Sequence, residues 1–315
     1  MRLLVTRPLP DAVIEAARAR FDTVVRQETL PLTAEELRTA LRDYDLVLPT
    51  LGDAFAAQVF ADVPQPRAKL LANFGVGYNH IDVAAARTAG VAVTNTPGAV
   101  TEATADIAMM LILMTARRAS EGERLLRAGK WDGWHPTQLL GLHIGGKTLG
   151  IIGMGRIGKA IARRCHHGFG MDVIFYNRSP VADPGIPARQ VSLEDALGAD
   201  VVVVSLAATP ATRRLIDASA FARMKPGAIF INIARGDIVH EEALVEALAG
   251  RQIAGAGLDV YEYEPKVTPG LLTMNNVTLL PHLGTAALEV RTAMGLMAVD
   301  NLIACAEGRP LPNVV

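Results

Sequence analysis

Four valines in a row, Val201 to Val204, constrain this 315-residue chain more than any other segment. β-Branched side chains favour extended backbone, and with no polar residue at alternate positions neither face of the strand can meet water. A strand buried on both faces belongs in a parallel sheet covered by helices on each side. Most of the chain repeats that design. Short apolar runs at 3–6, 23–26, 45–48, 69–73 and 91–95 read as strands, with helical patterns at 10–20, 33–43 and 81–89 between them. Thr33 followed by Glu36 has the form of a capping box.

A second series of strands follows at 148–152, 172–176, 201–205, 228–232, 255–259 and 277–280. A long helical stretch at 102–128 separates the two series, behind the breaker Thr96-Pro97-Gly98, and a last helix at 286–306 follows the final strand. Two doubly wound parallel-sheet α/β domains joined by helices are predicted. Periodicity alone leaves open which of them carries the last helix.

Composition removes several function classes. Lys+Arg 31 against Asp+Glu 32 gives a net charge of -1, without the basic excess of a nucleic-acid binder. Cys165 and Cys305 lie far apart and form no metal-binding spacing, which excludes a disulfide scaffold or zinc module and fits a reducing compartment. The apolar stretch 103–116 contains Asp106 and is too short to cross a bilayer, and the N-terminus reads as a strand rather than a signal peptide. The expectation is a soluble cytoplasmic protein with no nucleic-acid or membrane partner and no metal.

Gly153-Met154-Gly155-Arg156-Ile157-Gly158 follows one strand and opens a helix inside a βαβ unit. In that setting the glycines let the backbone approach a pyrophosphate at a helix N-terminus, and Gly153, Gly155, Arg156, Ile157 and Gly158 are the candidate cofactor contacts. The next strand ends in Asn177-Arg178-Ser179, where an enzyme selecting NAD would carry an acid for the ribose hydroxyls. Asn177 does not repel a 2′-phosphate, Arg178 can pair with it and Ser179 can donate to it, so NADP(H) is the expected cofactor.

Three more residues sit just beyond strands of the second series, where doubly wound folds place ligands: Arg235, Glu264 and His282. Singly, each has a bland explanation. Together they supply a cation for a carboxylate, an acid for a developing alkoxide and an anion to hold that acid, which is what 2-keto acid reduction needs.

With these motifs the chain resembles the D-isomer-specific 2-hydroxyacid dehydrogenases along essentially its whole length. The resemblance rests on the glycine loop, Asn232-Ile233-Ala234-Arg235-Gly236, the Asp-Val-x-x-x-Glu-Pro form at 259–265 and Pro281-His282-x-Gly284. It implies a discontinuous flavodoxin-like substrate-binding domain, 1–99 plus 285–315, around a Rossmann cofactor domain, 100–284. It also implies Arg235, Glu264 and His282 as the catalytic set, with Ala234, Asp259 and Gly284 near the cofactor. Within the family, the stretches 73–82 and 131–137 are similar to those of NADPH-dependent glyoxylate/hydroxypyruvate reductases. That narrower likeness implies Val76 and Gly77 as backbone donors to a substrate carboxylate, Leu51 and Gly52 as pocket lining, Arg235 and His282 as substrate contacts, and a homodimer. The substrate would lie in a cleft between the domains. The segment 205–210 is shorter than the corresponding loop of many members. Sibling dehydrogenases for 2-ketogluconate, phosphoglycerate or D-lactate could use the same residues, and so could a dinucleotide-sensing corepressor. Phosphoglycerate dehydrogenases often extend further than this chain, which ends at Val315.

Overall fold

Strands and helices alternate from the start of the computed structural model, which describes residues 1–315. The first series is β1 (Arg2–Val5), α1 (Asp11–Arg18), β2 (Asp22–Val25), α2 (Ala34–Asp43), β3 (Leu46–Leu48), α3 (Ala57–Asp62), β4 (Leu70–Ala72), α4 (Val83–Thr88) and β5 (Ala92–Thr94). Its sheet is parallel, in the order β2-β1-β3-β4-β5, which is the flavodoxin-like order. The capping box forms: Thr33 Oγ1 accepts from Glu36 N at 3.3 Å while Glu36 Oε2 accepts from Thr33 N at 2.7 Å. Two-residue alternation splits the side chains between two layers. Leu4, Val47 and Leu71 pack with Leu37, Leu41 and Phe60 on one side, and Leu3, Val5, Leu46 and Leu70 pack with Val13 on the other. Each such buried aliphatic contributes about 1.5–3 kcal/mol against exposure.

The second series opens with α5 (Thr101–Ala116) and α6 (Ala119–Arg127). It continues with β6 (Thr148–Ile152), α7 (Arg156–Phe169), β7 (Asp172–Tyr176), β8 (Ala188–Gln190), α8 (Leu193–Leu197), β9 (Val201–Val204), α9 (Ala218–Ala222) and β10 (Ile229–Asn232). It closes with α10 (Glu241–Ala249), β11 (Gly255–Leu258), α11 (Pro269–Thr273) and β12 (Val277–Leu279), and α12 (Leu288–Ala306) ends the chain's helices. The seven strands are parallel in the order β12-β11-β10-β9-β6-β7-β8, a Rossmann arrangement extended by one strand. The valine strand lies inside it, all four residues buried: Val202 and Val204 face one core and Val201 and Val203 the other. The two compact units are Met1–Val100 with Thr285–Val315, and Thr101–Gly284.

Two features differ from the sequence reading, and a third settles what periodicity left open. The stretch 102–128 is two helices rather than one, because Arg118 adopts a left-handed φ of 52° between them. Its guanidinium holds the break, bonding both oxygens of Glu121 at 2.9 Å and the Leu140 carbonyl at 3.3 Å. The last helix settles on the first unit, where Ala298, Val299 and Leu302 join the core of Leu3, Leu46 and Leu70. An unanticipated strand, β8, edges the second sheet with mostly exposed polar residues. No helix is long and apolar enough to cross a membrane.

Candidate active site

The carboxyl ends of β10, β11 and β12 are adjacent, and each feeds a loop with one of the expected catalytic residues. Beyond β10, buried Asn232 fixes the turn: its Oδ1 accepts from Ala234 N at 3.1 Å and its Nδ2 donates to the Arg235 carbonyl at 3.0 Å. Arg235 then donates from Nη1 to the Ala234 carbonyl at 2.7 Å. Burial pushes the Arg235 pKa down, opposed by the charges of Glu264 and Asp237. Gly236 explains why a glycine follows the arginine. A Cβ there would sit 1.8 Å from the Tyr261 carbonyl carbon, so only glycine lets this loop lie against the one that carries Glu264.

His282 and Glu264 are paired, Nδ1 to Oε2, at 2.9 Å. The other carboxylate oxygen accepts from Tyr261 N at 3.0 Å, and the Tyr261 hydroxyl donates to the Leu280 carbonyl at 2.8 Å, which ties the two loops together. Burial raises the Glu264 pKa, but the hydrogen bond and charge of His282, the Tyr261 N–H and the Arg235 charge outweigh it and leave it below the usual value of 4.5.

His282 has a φ of 54°, uncommon for a side-chain-bearing residue. Asp259 holds it there. Its carbonyl accepts from His282 N at 3.0 Å, and its two carboxylate oxygens accept from Leu283 N at 2.6 Å and Gly284 N at 2.8 Å. Asp259 and Gly284, expected beside the cofactor, are therefore bonded to each other in this loop. Burial drives the Asp259 carboxyl above its usual range, against those N–H groups and the His282 charge.

On the other side of β9, Gly153 takes a φ of 106° after β6, and Gly155 is the N-cap of the fourteen-residue α7. A Cβ on Gly158 would lie 2.3 Å from the Gly153 carbonyl oxygen, whereas one on Gly155 would meet nothing within 4 Å. Gly158 serves packing of helix against loop, and Gly155 leaves space outside the helix end. That space, beside N–H groups at a helix N-terminus, fits a pyrophosphate. Asn177 at the end of β7 accepts from Met154 N at 3.3 Å and donates to the Ser179 carbonyl at 2.8 Å. Arg178 and Ser179 are exposed. Gln190 on β8 steadies the loop, donating to the Asn177 and Ser179 carbonyls at 2.9 and 3.2 Å and accepting from Val181 N at 3.0 Å.

The first unit presents Leu51 and Gly52 after β3 and Val76 and Gly77 after β4. The fully buried Asp53 organises the former: it accepts from Thr50 N at 2.8 Å, Leu32 N at 3.0 Å and the Thr6 hydroxyl at 2.6 Å, while Arg7 donates to the Leu51 carbonyl at 2.5 Å. Sequence reasoning missed this aspartate, which lies past Pro49-Thr50-Leu51-Gly52 rather than at the end of β3. A cavity of about 790 Å³ lies elsewhere, near the amino ends of β10–β12, and is lined by Arg118, Ile229, Asn276 and Thr278 rather than by these residues.

Residues 109–284 match the model of the D-isomer specific 2-hydroxyacid dehydrogenase NAD binding domain. The glyoxylate reductase of Thermococcus kodakarensis is 41% identical over 321 residues, covering 100% of this chain and 96% of that protein. This chain belongs to the D-isomer-specific 2-hydroxyacid dehydrogenase family. Another member, the glyoxylate reductase of Pyrococcus furiosus, is 39% identical over 100% of this chain and 95% of its own length. Among solved members, the NADPH-dependent glyoxylate/hydroxypyruvate reductase of Sinorhizobium meliloti, in complex with NADP and malonate, superposes with a TM-score of 0.88 at 35% identity. That likeness covers 100% of this chain and 96% of the other. As a member of this family the protein is an oxidoreductase with an NAD(P)-binding domain, and its family acts on small 2-keto and 2-hydroxy acids.

Proposed function

We propose that this protein is an NADPH-dependent reductase of small 2-keto acids, turning glyoxylate into glycolate and hydroxypyruvate into D-glycerate. The observation that carries the proposal is the His282–Glu264 pair at 2.9 Å, on a loop neighbouring that of Arg235. With Nδ1 directed at the carboxylate, the imidazole keeps Nε2 for the substrate oxygen, and as imidazolium it donates the proton that completes the alcohol. Glu264 holds the ring's orientation through that hydrogen bond. Arg235 binds the substrate carboxylate and polarises the ketone; the first unit's proposed contacts are the N–H groups of Val76 and Gly77, as carboxylate donors, with Leu51 and Gly52.

NADPH, when bound, supplies the hydride. Gly153, Gly155, Arg156, Ile157 and Gly158 would hold its pyrophosphate, and Asn177, Arg178 and Ser179 its 2′-phosphate end, with Ala234, Asp259 and Gly284 lining the remainder. The S. meliloti reductase, by its name NADPH-dependent and seen with NADP, supports this choice.

The decisive experiment is the initial rate of NADPH oxidation with glyoxylate, hydroxypyruvate, pyruvate, 2-ketogluconate and phosphohydroxypyruvate. The two small acids are expected to give the highest kcat/KM. Turnover of none of these acids, or a clear preference for a phosphorylated or sugar acid, would overturn the reading.

A cytoplasmic homodimer completes the proposal. Trp134 is 80% exposed, and Leu126 at the end of α6 and Trp131 and Leu140 on the segment that leaves it are also exposed. Apolar surface of this kind marks an association site. Sedimentation should show a dimer, and Trp134→Ala should weaken it by about 2 kcal/mol, or about thirtyfold in Kd. A wild-type monomer at micromolar concentration would contradict it.

A further inference from the structure

The loop after β4 is held by side chains that the reading of Val76 and Gly77 as carboxylate donors does not itself use. Asn73, 1% exposed at the end of β4, spends both hydrogens of its Nδ2 on this loop, donating to the Gly75 carbonyl at 3.0 Å and the Gly77 carbonyl at 3.1 Å. Asn95, just past β5, donates from Nδ2 to the Val76 carbonyl at 2.9 Å, and Thr96 N donates to the Gly75 carbonyl at 3.1 Å. Three successive carbonyls are thus drawn toward the sheet. In a trans peptide the C=O and the following N–H point in opposite directions. Fixing the carbonyls of Gly75, Val76 and Gly77 therefore turns the N–H groups of Val76, Gly77 and Tyr78 away from the sheet, and none of the three donates to a protein acceptor.

We propose that Asn73 and Asn95 are positioning residues that aim these three N–H groups as a nest for the substrate carboxylate. The inference rests on the proposed function, because it presumes that the anion taken here is the carboxylate of a keto acid. The network also assigns His80. With both Nδ2 hydrogens of Asn73 in use, its Oδ1 is an acceptor, so the contact at 3.1 Å makes His80 the Nε2–H donor. His80 thereby keeps the Asn73 amide from flipping, which would set its oxygen against two carbonyls. Backbone N–H groups held in one concave turn are an anion site with little ordering cost at the moment of binding. Asn95 is anchored in turn, its backbone N–H donating to the Asn313 carbonyl at 3.1 Å.

Asn95→Asp is the test, since it is nearly isosteric, half-buried and, when ionised, cannot donate to the Val76 carbonyl. His80→Leu is the second variant and acts on Asn73 without altering its buried amide. Steady-state kinetics with glyoxylate and NADPH are compared for wild type and both variants, with thermal melts alongside. Each variant is expected to raise KM for glyoxylate by about tenfold to a hundredfold, the scale of a hydrogen bond to a charged group. The loss in kcat should be smaller, and KM for NADPH should stay within about twofold. A merely structural role would lower the melting temperature and leave KM for glyoxylate in place. If wild type reduces glyoxylate and both variants keep its KM within about twofold, the inference is wrong and the functional reading stands. If wild type reduces no 2-keto acid, the functional reading fails and takes the inference with it.

Discussion

Nδ1 of His282 lies 2.9 Å from Oε2 of Glu264, and Tyr261 N occupies the second oxygen of that glutamate at 3.0 Å. The carboxylate is thus held from two directions, and it passes its orientation to the imidazole. The backbone adds a further constraint. His282 sits at a φ of 54° because the carbonyl and carboxylate of Asp259 bond to three consecutive N–H groups, 282 to 284. If His282 is the proton donor, as proposed, being fixed at both side chain and backbone leaves it little reorganisation on reaching the substrate oxygen.

His282→Ala should lower turnover by roughly two to four orders of magnitude, the usual scale for a positioned general acid. NADPH affinity should survive, because the glycine loop lies on another part of the sheet. Near-normal turnover of the variant at neutral pH would mean that another group carries the proton.

The same pair makes a stability prediction whose sign follows from the direction of one shift. Burial raises the Glu264 pKa, and His282, Tyr261 N–H and Arg235 together lower it below 4.5. A carboxyl with a depressed folded-state pKa binds protons more weakly folded than unfolded, so its stabilising contribution is whole above the unfolded value. That contribution is lost as pH falls through the folded value. Wild type should therefore melt above Glu264→Gln at pH 6, and the gap should close below about pH 4.5. Melting curves in which acid widens the gap would show that the charge of Glu264 destabilises the folded protein.

Much of this site was legible in the chain because its residues stand directly beyond buried strands. Arg235, Glu264 and His282 each follow an apolar run whose period and length mark it as a strand, and strand order then brings them together. The supporting residues were harder to read. Asp53, Asn73 and Asn95 act by accepting from or donating to backbone several residues away, and no local pattern encodes those partners. The break at Arg118 was hidden because the helical pattern runs across it, while the bonds of its side chain to Glu121 and Leu140 help to hold a left-handed residue there. β8 escaped notice for the opposite reason. Its edge position leaves Arg189 and Gln190 exposed, so it lacks the apolar signature of the inner strands.

The glycine loop offers a test that separates packing from ligand binding. A Cβ on Gly158 would press to 2.3 Å from the Gly153 oxygen, so Gly158→Ala should cost about 1–3 kcal/mol of stability as well as cofactor affinity. Gly155→Ala meets no protein atom within 4 Å and should cost under about 1 kcal/mol of stability. Its methyl group would enter the space assigned to the pyrophosphate, and KM for NADPH should rise about tenfold or more. Urea denaturation with NADPH titration measures both quantities, and an undiminished affinity in Gly155→Ala would move the cofactor away from this helix end.

Cofactor choice is the last prediction, and the geometry of Asn177 sharpens it. Wild type should prefer NADPH over NADH by at least about tenfold in kcat/KM, because Arg178 can pair with a 2′-phosphate and gains little from a bare hydroxyl. A charged hydrogen bond of that kind is worth about 1.5–3 kcal/mol, or about one to two decades. Arg178→Ala alone should erode NADPH use and leave NADH use in place. Asn177→Asp does two things at once. It puts a carboxylate where the 2′-phosphate would lie, and it removes the Nδ2 donor that holds the Ser179 carbonyl at 2.8 Å. Gln190 still grips that carbonyl at 3.2 Å, so the loop should keep its course in the variant. The double variant Asn177→Asp/Arg178→Ala should therefore reverse the preference while the keto-acid profile stays unchanged. The comparison belongs at both low and moderate salt, since an exposed arginine–phosphate pair is screened. Equal use of NADH and NADPH by wild type under both conditions would sink the assignment of Arg178.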